Sequence, residues 1–157
     1  MKMIKGSSRH AHSVLVGRVM AILARRLGGN EREWELVGLL HDLDHDSVLG
    51  DMARHGVRAA ESLAGKVSDE GLDAIRSHDH RTGFKPKGPL AESLRFADAV
   101  VVLVADQGLQ GPIAEAALER AVSLESSQKP WIEEIIESFR QAYRVQLSEV
   151  LNELGRL

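Results

Sequence analysis

Residues 36 to 56 read LVGLLHDLDHDSVLGDMARHG. It begins as an apolar segment fit for a protein core and then runs into three histidines and four aspartates. Burying ionisable side chains is unfavourable unless they are paired, hydrogen-bonded or bound to a metal. The stretch therefore predicts a core helix that ends in a cluster of polar groups needing such partners.

The composition is that of an ordinary globular domain. The chain has 157 residues, of which 43% are hydrophobic and 27% charged, and this is enough for one domain over residues 1–157 with its own core. A net charge of −3 gives no bulk attraction to nucleic acid or anionic lipid, so any recognition of anions has to be local. The lack of cysteine excludes disulfides, thiolate zinc sites, iron–sulfur clusters and a cysteine nucleophile.

The same sequence predicts a cytoplasmic protein that does not enter a membrane. No apolar run approaches the roughly 20 residues that a membrane-spanning helix needs. The N-terminus is basic, but Gly17 and Arg18 interrupt the apolar stretch that follows. This pattern is typical of an amphipathic helix rather than of a signal peptide.

The periodicity of apolar residues is helical almost throughout, which predicts an all-α fold, a single-domain helical bundle. Gly28 and Gly29 suit the left-handed end of a first helix, and Asn30 and Glu33 have capping-box spacing for the second. A basic loop, RTGFKPKG, occupies residues 81–88. Helices are expected over about 8–27, 31–41, 52–64, 69–78 and 89–106.

Further helices are expected over about 112–155. Gly111-Pro112 and Pro130 each suit a helix start, and residues 130–154 are predicted to form one helix packed on the bundle. Part of its apolar face is also a candidate homodimer contact. The stripe, interrupted only at Gln146, consists of Trp131, Ile135, Phe139, Ala142, Val150 and Leu154.

Four predicted helices each direct one titratable side chain at the interior. Each of these side chains shares a helical face with apolar neighbours, as His12 does with Val16. One such group is usually satisfied by local hydrogen bonds or by an ion pair, but the set favours a cation, which satisfies all of them at once. The four are His12, His41, His78 and Asp98.

The ligand types indicate which cation. Asp42 adjoins His41, and both can reach one ion where the helix ends. Imidazole and carboxylate without thiolate favour manganese, iron, cobalt, nickel or zinc, with magnesium also compatible.

These candidate ligands, in their order along the chain, resemble a known family. His12, then His41-Asp42, then Asp98 resemble the H…HD…D signature of the HD-domain metal-dependent phosphohydrolases. GLLHDLDHD, RHGVRAAESL, AIRSHDH and KPKGPLAESLRFADAV are similar to a small single-domain branch of predicted HD hydrolases related to the HDIG type, over about residues 10–106. The resemblance implies an all-α fold and makes His12, His41, Asp42 and Asp98 ligands of one metal.

The resemblance also extends to a second metal. His55 and His78 match positions where dinuclear members supply histidines, and His80 could replace or supplement His78. Asp42 is the expected bridge, because a carboxylate has two oxygens to share. Asp44 stands where the family often has glycine. A branch with an HDIDYD-like motif shares this aspartate.

The implied activity is hydrolysis of a phosphomonoester or phosphodiester in a small, nucleotide-like substrate. A divalent metal polarises a phosphoryl oxygen and lowers the pKa of bound water. Asp42 belongs to this catalytic centre, and Asp44 or Asp46 is a candidate to relay the proton, although acids after a metal motif are often merely solvated. The cations of the basic loop are a candidate phosphate clamp, but a charged loop can also simply be solvated. These cations are Arg81, Lys85 and Lys87.

Two other classes of function stay open. A few members of the wider superfamily resemble the same six-ligand set and are di-iron oxygenases, for which bound iron with a mixed-valence signal would be diagnostic. The chain could also be a non-catalytic ligand-binding module. The sequence holds no motif that identifies the substrate.

Overall fold

The computed structural model describes residues 9–106 and 130–155. Over these ranges the chain is helical and contains no strand, which confirms the all-α prediction. It divides into two compact units, Met1–Arg95 and Phe96–Leu157, so one domain over residues 1–157 stays a prediction. The helices are α1 (His10–Leu27), α2 (Glu31–Leu40), α3 (Val57–Ser62), α4 (Asp69–Ser77), α5 (Gly88–Asp106), α6 (Pro130–Tyr143) and α7 (Leu147–Gly155).

The turn between α1 and α2 follows the sequence signals. Gly28 ends α1 at φ 76°, in the left-handed conformation that glycine adopts without strain. The Asn30 side chain accepts a hydrogen bond from the Glu33 N–H at 3.0 Å, which is one half of the expected capping box. The Glu33 carboxylate instead accepts a hydrogen bond from the Ser68 hydroxyl at the start of α4. A local cap therefore also ties α2 to α4.

Two glycines let α1 and α2 approach closely. A Cβ on Gly38 would lie 2.8 Å from the Gly17 Cα, which is closer than real Cβ contacts come. Larger residues at either position would separate the two backbones. The approach holds the beginning of α1 beside the end of α2, where the rings of His12 and His41 lie 5.4 Å apart.

The prediction of one continuous helix over about 52–64 is wrong. A short 3₁₀ turn, Met52–Arg54, is separated from α3 by His55 in an extended conformation and by Gly56 at φ 88°. The cause is not local in sequence. The Asp44 carboxylate accepts the backbone N–H groups of Gly56 and Ala59, each at 2.8 Å, and so caps a helix that begins after the break.

The segments on either side of the basic loop agree with expectation. Ser68 caps α4 by accepting the Gly71 N–H at 3.1 Å, and α4 ends directly before His78. A second 3₁₀ turn, His80–Thr82, occupies the start of the loop. Helix α5 then carries Pro89 in its first turn, where a missing N–H costs nothing.

In the second unit, the prediction of one helix over residues 130–154 is wrong. Helices α6 and α7 are separated at Arg144, which has φ 56°, a conformation that ends a helix. Of the predicted stripe, Phe139 and Val150 are buried, whereas Trp131 is 42% exposed. The other buried apolar side chains of these helices and their connection are Ile132, Ile136, Val145 and Leu151.

The buried face of α6 thus differs from the predicted stripe. The Phe139 ring stacks on Phe96 with ring centroids 4.2 Å apart. The helix start expected at Gly111-Pro112 lies outside the described residues, and the homodimer contact stays a prediction. None of the described helices has both the length and the apolarity to cross a bilayer.

Candidate metal centre

The Asp42 carboxylate lies among four imidazoles in the first unit. Its side chain is 2% exposed. The Oδ1 atom lies 2.9 Å from Nε2 of His55 and 3.5 Å from Nε2 of His78. The Oδ2 atom lies 3.5 Å from Nε2 of His12 and 3.4 Å from Nε2 of His41. Each carboxylate oxygen therefore faces its own pair of histidines.

These residues form two candidate ligand groups that share Asp42. His12, His41 and Asp42 offer donor atoms within 4.8 Å of one another, and so do Asp42, His55 and His78. The groups adjoin, because the rings of His41 and His78 meet edge to face at 4.9 Å. We refer to these five residues as the Asp42 centre.

Two further residues are predicted as metal ligands. His80 is exposed on the 3₁₀ turn after α4 and belongs to neither group. Asp98 is on α5 in the second unit, and its role as a metal ligand stays a prediction.

Hydrogen bonds fix how two of the imidazoles present their nitrogens. The Nδ1 of His41 lies 2.6 Å from the Gly38 carbonyl oxygen, and that of His78 lies 2.6 Å from the Ile75 carbonyl oxygen. A carbonyl oxygen only accepts, so each Nδ1 donates its hydrogen. In the neutral imidazole, Nε2 then carries a lone pair that points at Asp42. Both histidines are thus held in the tautomer that ligates a metal through Nε2.

The donor set fits a divalent metal. Nε2 of His55 and Nε2 of His78 lie 3.2 Å apart, and two lone pairs at this distance would need a cation or a proton between them. Ligands that are each about 2.0–2.2 Å from one metal are separated by about 2.8–3.6 Å in tetrahedral or octahedral geometry. The separations around Asp42 agree with this spacing.

The electrostatics around Asp42 favour its ionised form. Burial alone would raise the pKa of Asp42, but charge on His41 and the hydrogen-bonding contacts with His55 and His78 hold it well below its usual range. Burial would lower the pKa of His55, yet hydrogen bonds to Asp42 and Asp44 raise it to about 9. Without a metal, a proton on His55 thus helps to offset the buried negative charge; a metal would take over that role.

Asp44 lies behind His55 rather than in either ligand group. Its Oδ1 accepts the Nδ1 hydrogen of His55 at 2.8 Å, and its Oδ2 accepts the backbone N–H groups of Gly56 and Ala59. Burial would raise the pKa of Asp44, but these hydrogen bonds lower it. The Asp44 carboxylate fixes the orientation of His55. Carboxylates that hydrogen-bond to a metal-binding histidine commonly have this role.

Sequence reasoning missed Arg9. Its Nε donates to Oδ2 of Asp42 at 2.9 Å, and its side chain is 31% exposed. The guanidinium therefore touches the buried Asp42 centre while part of the side chain meets solvent. Its place three residues before His12, at the N-cap of α1, is a signal that could have drawn attention to it.

The remaining predicted site residues lie outside the two groups. Asp46 is exposed and pairs with His45 at 3.2 Å. The Arg81 guanidinium donates hydrogen bonds to both carboxylate oxygens of Asp79, at 2.9 and 2.6 Å. Lys85 and Lys87 are exposed and line a groove beside α4. Their roles in catalysis and phosphate binding stay predictions.

Comparison with known proteins places these features in a family. Residues 9–106 match the model of the HD domain. A relative, Ribonuclease Y from Rubrobacter xylanophilus, is 32% identical over 124 residues, which is 76% of this chain and 23% of that protein. The chain thus spans about a quarter of the length of that relative, and no solved structure gives a significant match. The match covers more than half of the chain and includes every residue of the Asp42 centre, so the protein belongs to the HD domain family.

Proposed function

We propose that the protein is a metal-dependent phosphohydrolase acting on a phosphomonoester or phosphodiester of a nucleotide-like substrate. The observation that carries the proposal is the position of Asp42, with one carboxylate oxygen toward each pair of histidine Nε2 atoms. Family membership supports the same class of reaction, and the relative at 32% identity is named as a ribonuclease.

The two ligand groups would hold one or two divalent ions. His12 and His41 would bind the first and His55 and His78 the second, with Asp42 shared between them. We keep Asp98 as a further ligand of the first ion. A divalent metal supplies Lewis acidity toward a phosphoryl group and lowers the pKa of the water that it binds. Imidazole and carboxylate donors suit manganese, iron, cobalt, nickel or zinc.

Arg9 supplies recognition of the phosphoryl group. One N–H of its guanidinium is bound to Asp42, and an arginine has five such donors in a fixed plane. Since the side chain is partly exposed, the guanidinium lies where it would meet an oxygen of a phosphate at the Asp42 centre. A bidentate contact of this kind both orients the phosphate and offsets its charge.

The two remaining acidic residues have different roles, one in positioning and one in proton transfer. Asp44 positions His55, because both of its oxygens are occupied by hydrogen bonds. Asp46 is the better candidate to carry a proton, since it is exposed and hydrogen-bonded to His45. The His45 ring in turn meets the His55 ring at 5.5 Å. A proton held on His45 or Asp46 is thus close to the Asp42 centre and to solvent.

The test begins with elemental analysis of the purified chain. The metal is then removed with a chelator, and each candidate ion is restored before a screen of p-nitrophenyl phosphate, nucleoside monophosphates, cyclic nucleotides and short RNA. Phosphate or nucleotide release that depends on one of these metals is the expected result. Bound metal and an intact fold without hydrolysis of any substrate would contradict the proposal, and dioxygen consumption by an iron-loaded sample would favour the oxygenase.

A further inference from the structure

A groove of about 470 Å³ lies between α4 and the basic loop, within the first unit. Its volume falls in the range of small-molecule sites, about 300–1,000 Å³. Its lining combines an exposed aromatic ring, cations and polar groups. We call it the α4 groove; the lining residues that matter are Asp73, Arg76, Ser77, Phe84, Lys85 and Lys87.

Phe84 presents a rigid aromatic surface to the groove. Its side chain is 50% exposed, although it has the apolar area of a core residue. Hydrogen bonds hold the backbone here, because the Phe84 N–H donates to the Thr82 hydroxyl oxygen at 3.3 Å, and that hydroxyl lies 3.2 Å from the Arg76 carbonyl oxygen. Gly83, at φ 81°, makes the turn between them.

The cations of the groove are of two kinds. Arg76 is already engaged, since it pairs with Asp73 at 2.5 Å and its guanidinium carbon lies 5.8 Å from the Phe84 ring centroid. Lys85 and Lys87 differ, because neither forms an ion pair within the ranges that the structure describes. Pro86 separates the two lysines and restrains the backbone between them.

This juxtaposition points to one ligand chemistry. A nucleobase stacks on an aromatic side chain, and the adjoining phosphate pairs with lysine; together these contacts are the usual means of holding an unpaired nucleotide. Glu70, which also lines the groove, offers a carboxylate that can accept a hydrogen bond from the exocyclic amine of a base. An apolar ligand would leave the lysines unused, and a bare phosphate would leave Phe84 unused.

We propose that the α4 groove binds a nucleotide, with the base on Phe84 and a phosphate on Lys85 and Lys87. The inference adds a base-binding site to the proposed function and rests on it only for the view that the substrate is then hydrolysed; the phosphate on the lysines would be a different one from the phosphoryl group at the Asp42 centre. Ser77 connects the two regions, because it lines the groove and directly precedes His78 in the chain.

The test uses the full chain with its metal removed by a chelator, so that binding is measured without turnover. Adenosine monophosphate, ribose 5-phosphate and adenosine are titrated by calorimetry, which separates the phosphate from the base. Adenosine monophosphate is expected to bind more tightly than either fragment. Upfield shifts of the adenine protons in the NMR spectrum, from the ring current of Phe84, should accompany saturation.

Variants assign the two halves of the ligand. Phe84→Ala should weaken adenosine monophosphate about tenfold or more and leave ribose 5-phosphate unchanged, and Phe84→Trp should retain the binding. The double variant Lys85→Ala with Lys87→Ala should weaken both phosphorylated ligands and spare adenosine. Leu49→Ala is the matched control, because Leu49 is 66% exposed outside the groove. Equal affinity of Phe84→Ala and the unaltered chain for adenosine monophosphate would overturn the proposal.

Two further measurements distinguish a free nucleotide from one within a strand, and binding in the α4 groove from hydrolysis at the Asp42 centre. A single-stranded RNA hexamer that binds more than tenfold more tightly than adenosine monophosphate, through Phe84, indicates a nucleotide within a strand; equal affinity indicates a free nucleotide. Binding without metal-dependent hydrolysis would leave the α4 groove standing and remove the phosphohydrolase. Hydrolysis without Phe84-dependent binding would do the reverse.

Discussion

The Asp42 centre and the α4 groove are both polar regions of the first unit, yet they are built on opposite principles. In the centre, Asp42, His41, His55 and His78 are buried, and the exposed fraction of none exceeds 4%. In the groove, Lys85, Lys87 and Phe84 are exposed. Buried charges depend on each other because no water compensates for a lost partner, whereas exposed charges act almost independently.

This difference separates chemistry from recognition. A centre that holds four imidazoles around one carboxylate needs every donor oriented in advance, and hydrogen bonds to Gly38, Ile75 and Asp44 do this. A groove that binds an exchangeable ligand needs a surface and charge but few fixed distances. Substitutions should therefore act strongly and jointly in the centre, and weakly and separately in the groove.

The largest effect is expected for Asp42→Ala. Both ligand groups share this carboxylate, so metal content should fall to zero and hydrolysis to the level of the metal-free chain, while the helical circular dichroism signal persists. Elemental analysis and activity measure the outcome. Asp51→Ala, which alters an exposed carboxylate nine residues farther along the chain, should retain both. Unchanged metal stoichiometry in Asp42→Ala would remove the central assignment.

A partial loss is expected for His55→Ala and for His78→Ala. Both face Oδ1 of Asp42, whereas His12 and His41 face Oδ2, so each variant should lose one metal equivalent of two, keep the other and hydrolyse the substrate much more slowly. His80→Ala, at an exposed position, should keep both equivalents. A wild-type count of one metal that neither variant changes would reduce the centre to a mononuclear site.

A smaller effect is expected for Asp44→Asn. Asparagine preserves the shape but presents one acceptor oxygen where the carboxylate presents two, so His55 loses its fixed orientation or α3 loses its cap. Affinity for the second ion should fall about 10–100-fold, with full occupancy restored at high metal concentration. Competition with a metal-sensitive dye gives the affinity of each site. Equal weakening of both ions would show that Asp44 supports the whole centre rather than His55.

The smallest effect is expected for Arg81→Ala. The guanidinium faces Asp79, an ion pair at the surface, and Arg81 is not among the groove residues. Binding of adenosine monophosphate should change by less than about twofold, in contrast to the double lysine variant. A loss as large as that of the lysines would show that Arg81 belongs to the phosphate clamp.

The sequence predicted those features whose signals are local. The left-handed end at Gly28, the cap at Asn30 and the start of α5 each depend on residues within one helical turn. The positions of His12, His41, His55 and His78 around Asp42 agree with the resemblance to the HD family.

The features that the sequence did not predict depend on contacts between residues far apart in the chain or on backbone conformation. Gly56 breaks the third predicted helix because Asp44, twelve residues earlier, takes its N–H; no local pattern encodes this contact. The contact of Arg9 with Asp42 spans 33 residues. Arg144 interrupts the C-terminal helix through its backbone conformation, and arginine gives no turn signal that would predict it.

The Asp44 contacts also couple metal exchange to local unfolding. Helix α3 has six residues, too few to persist alone in water, and its first amides and His55 depend on the same carboxylate. Fraying of α3 and release of His55 are therefore one event, whereas His12 belongs to an 18-residue helix. Amide protection factors in α3 should thus report how fast the second ion leaves, and an ion on the Oδ1 side should equilibrate with solvent while its neighbour stays bound.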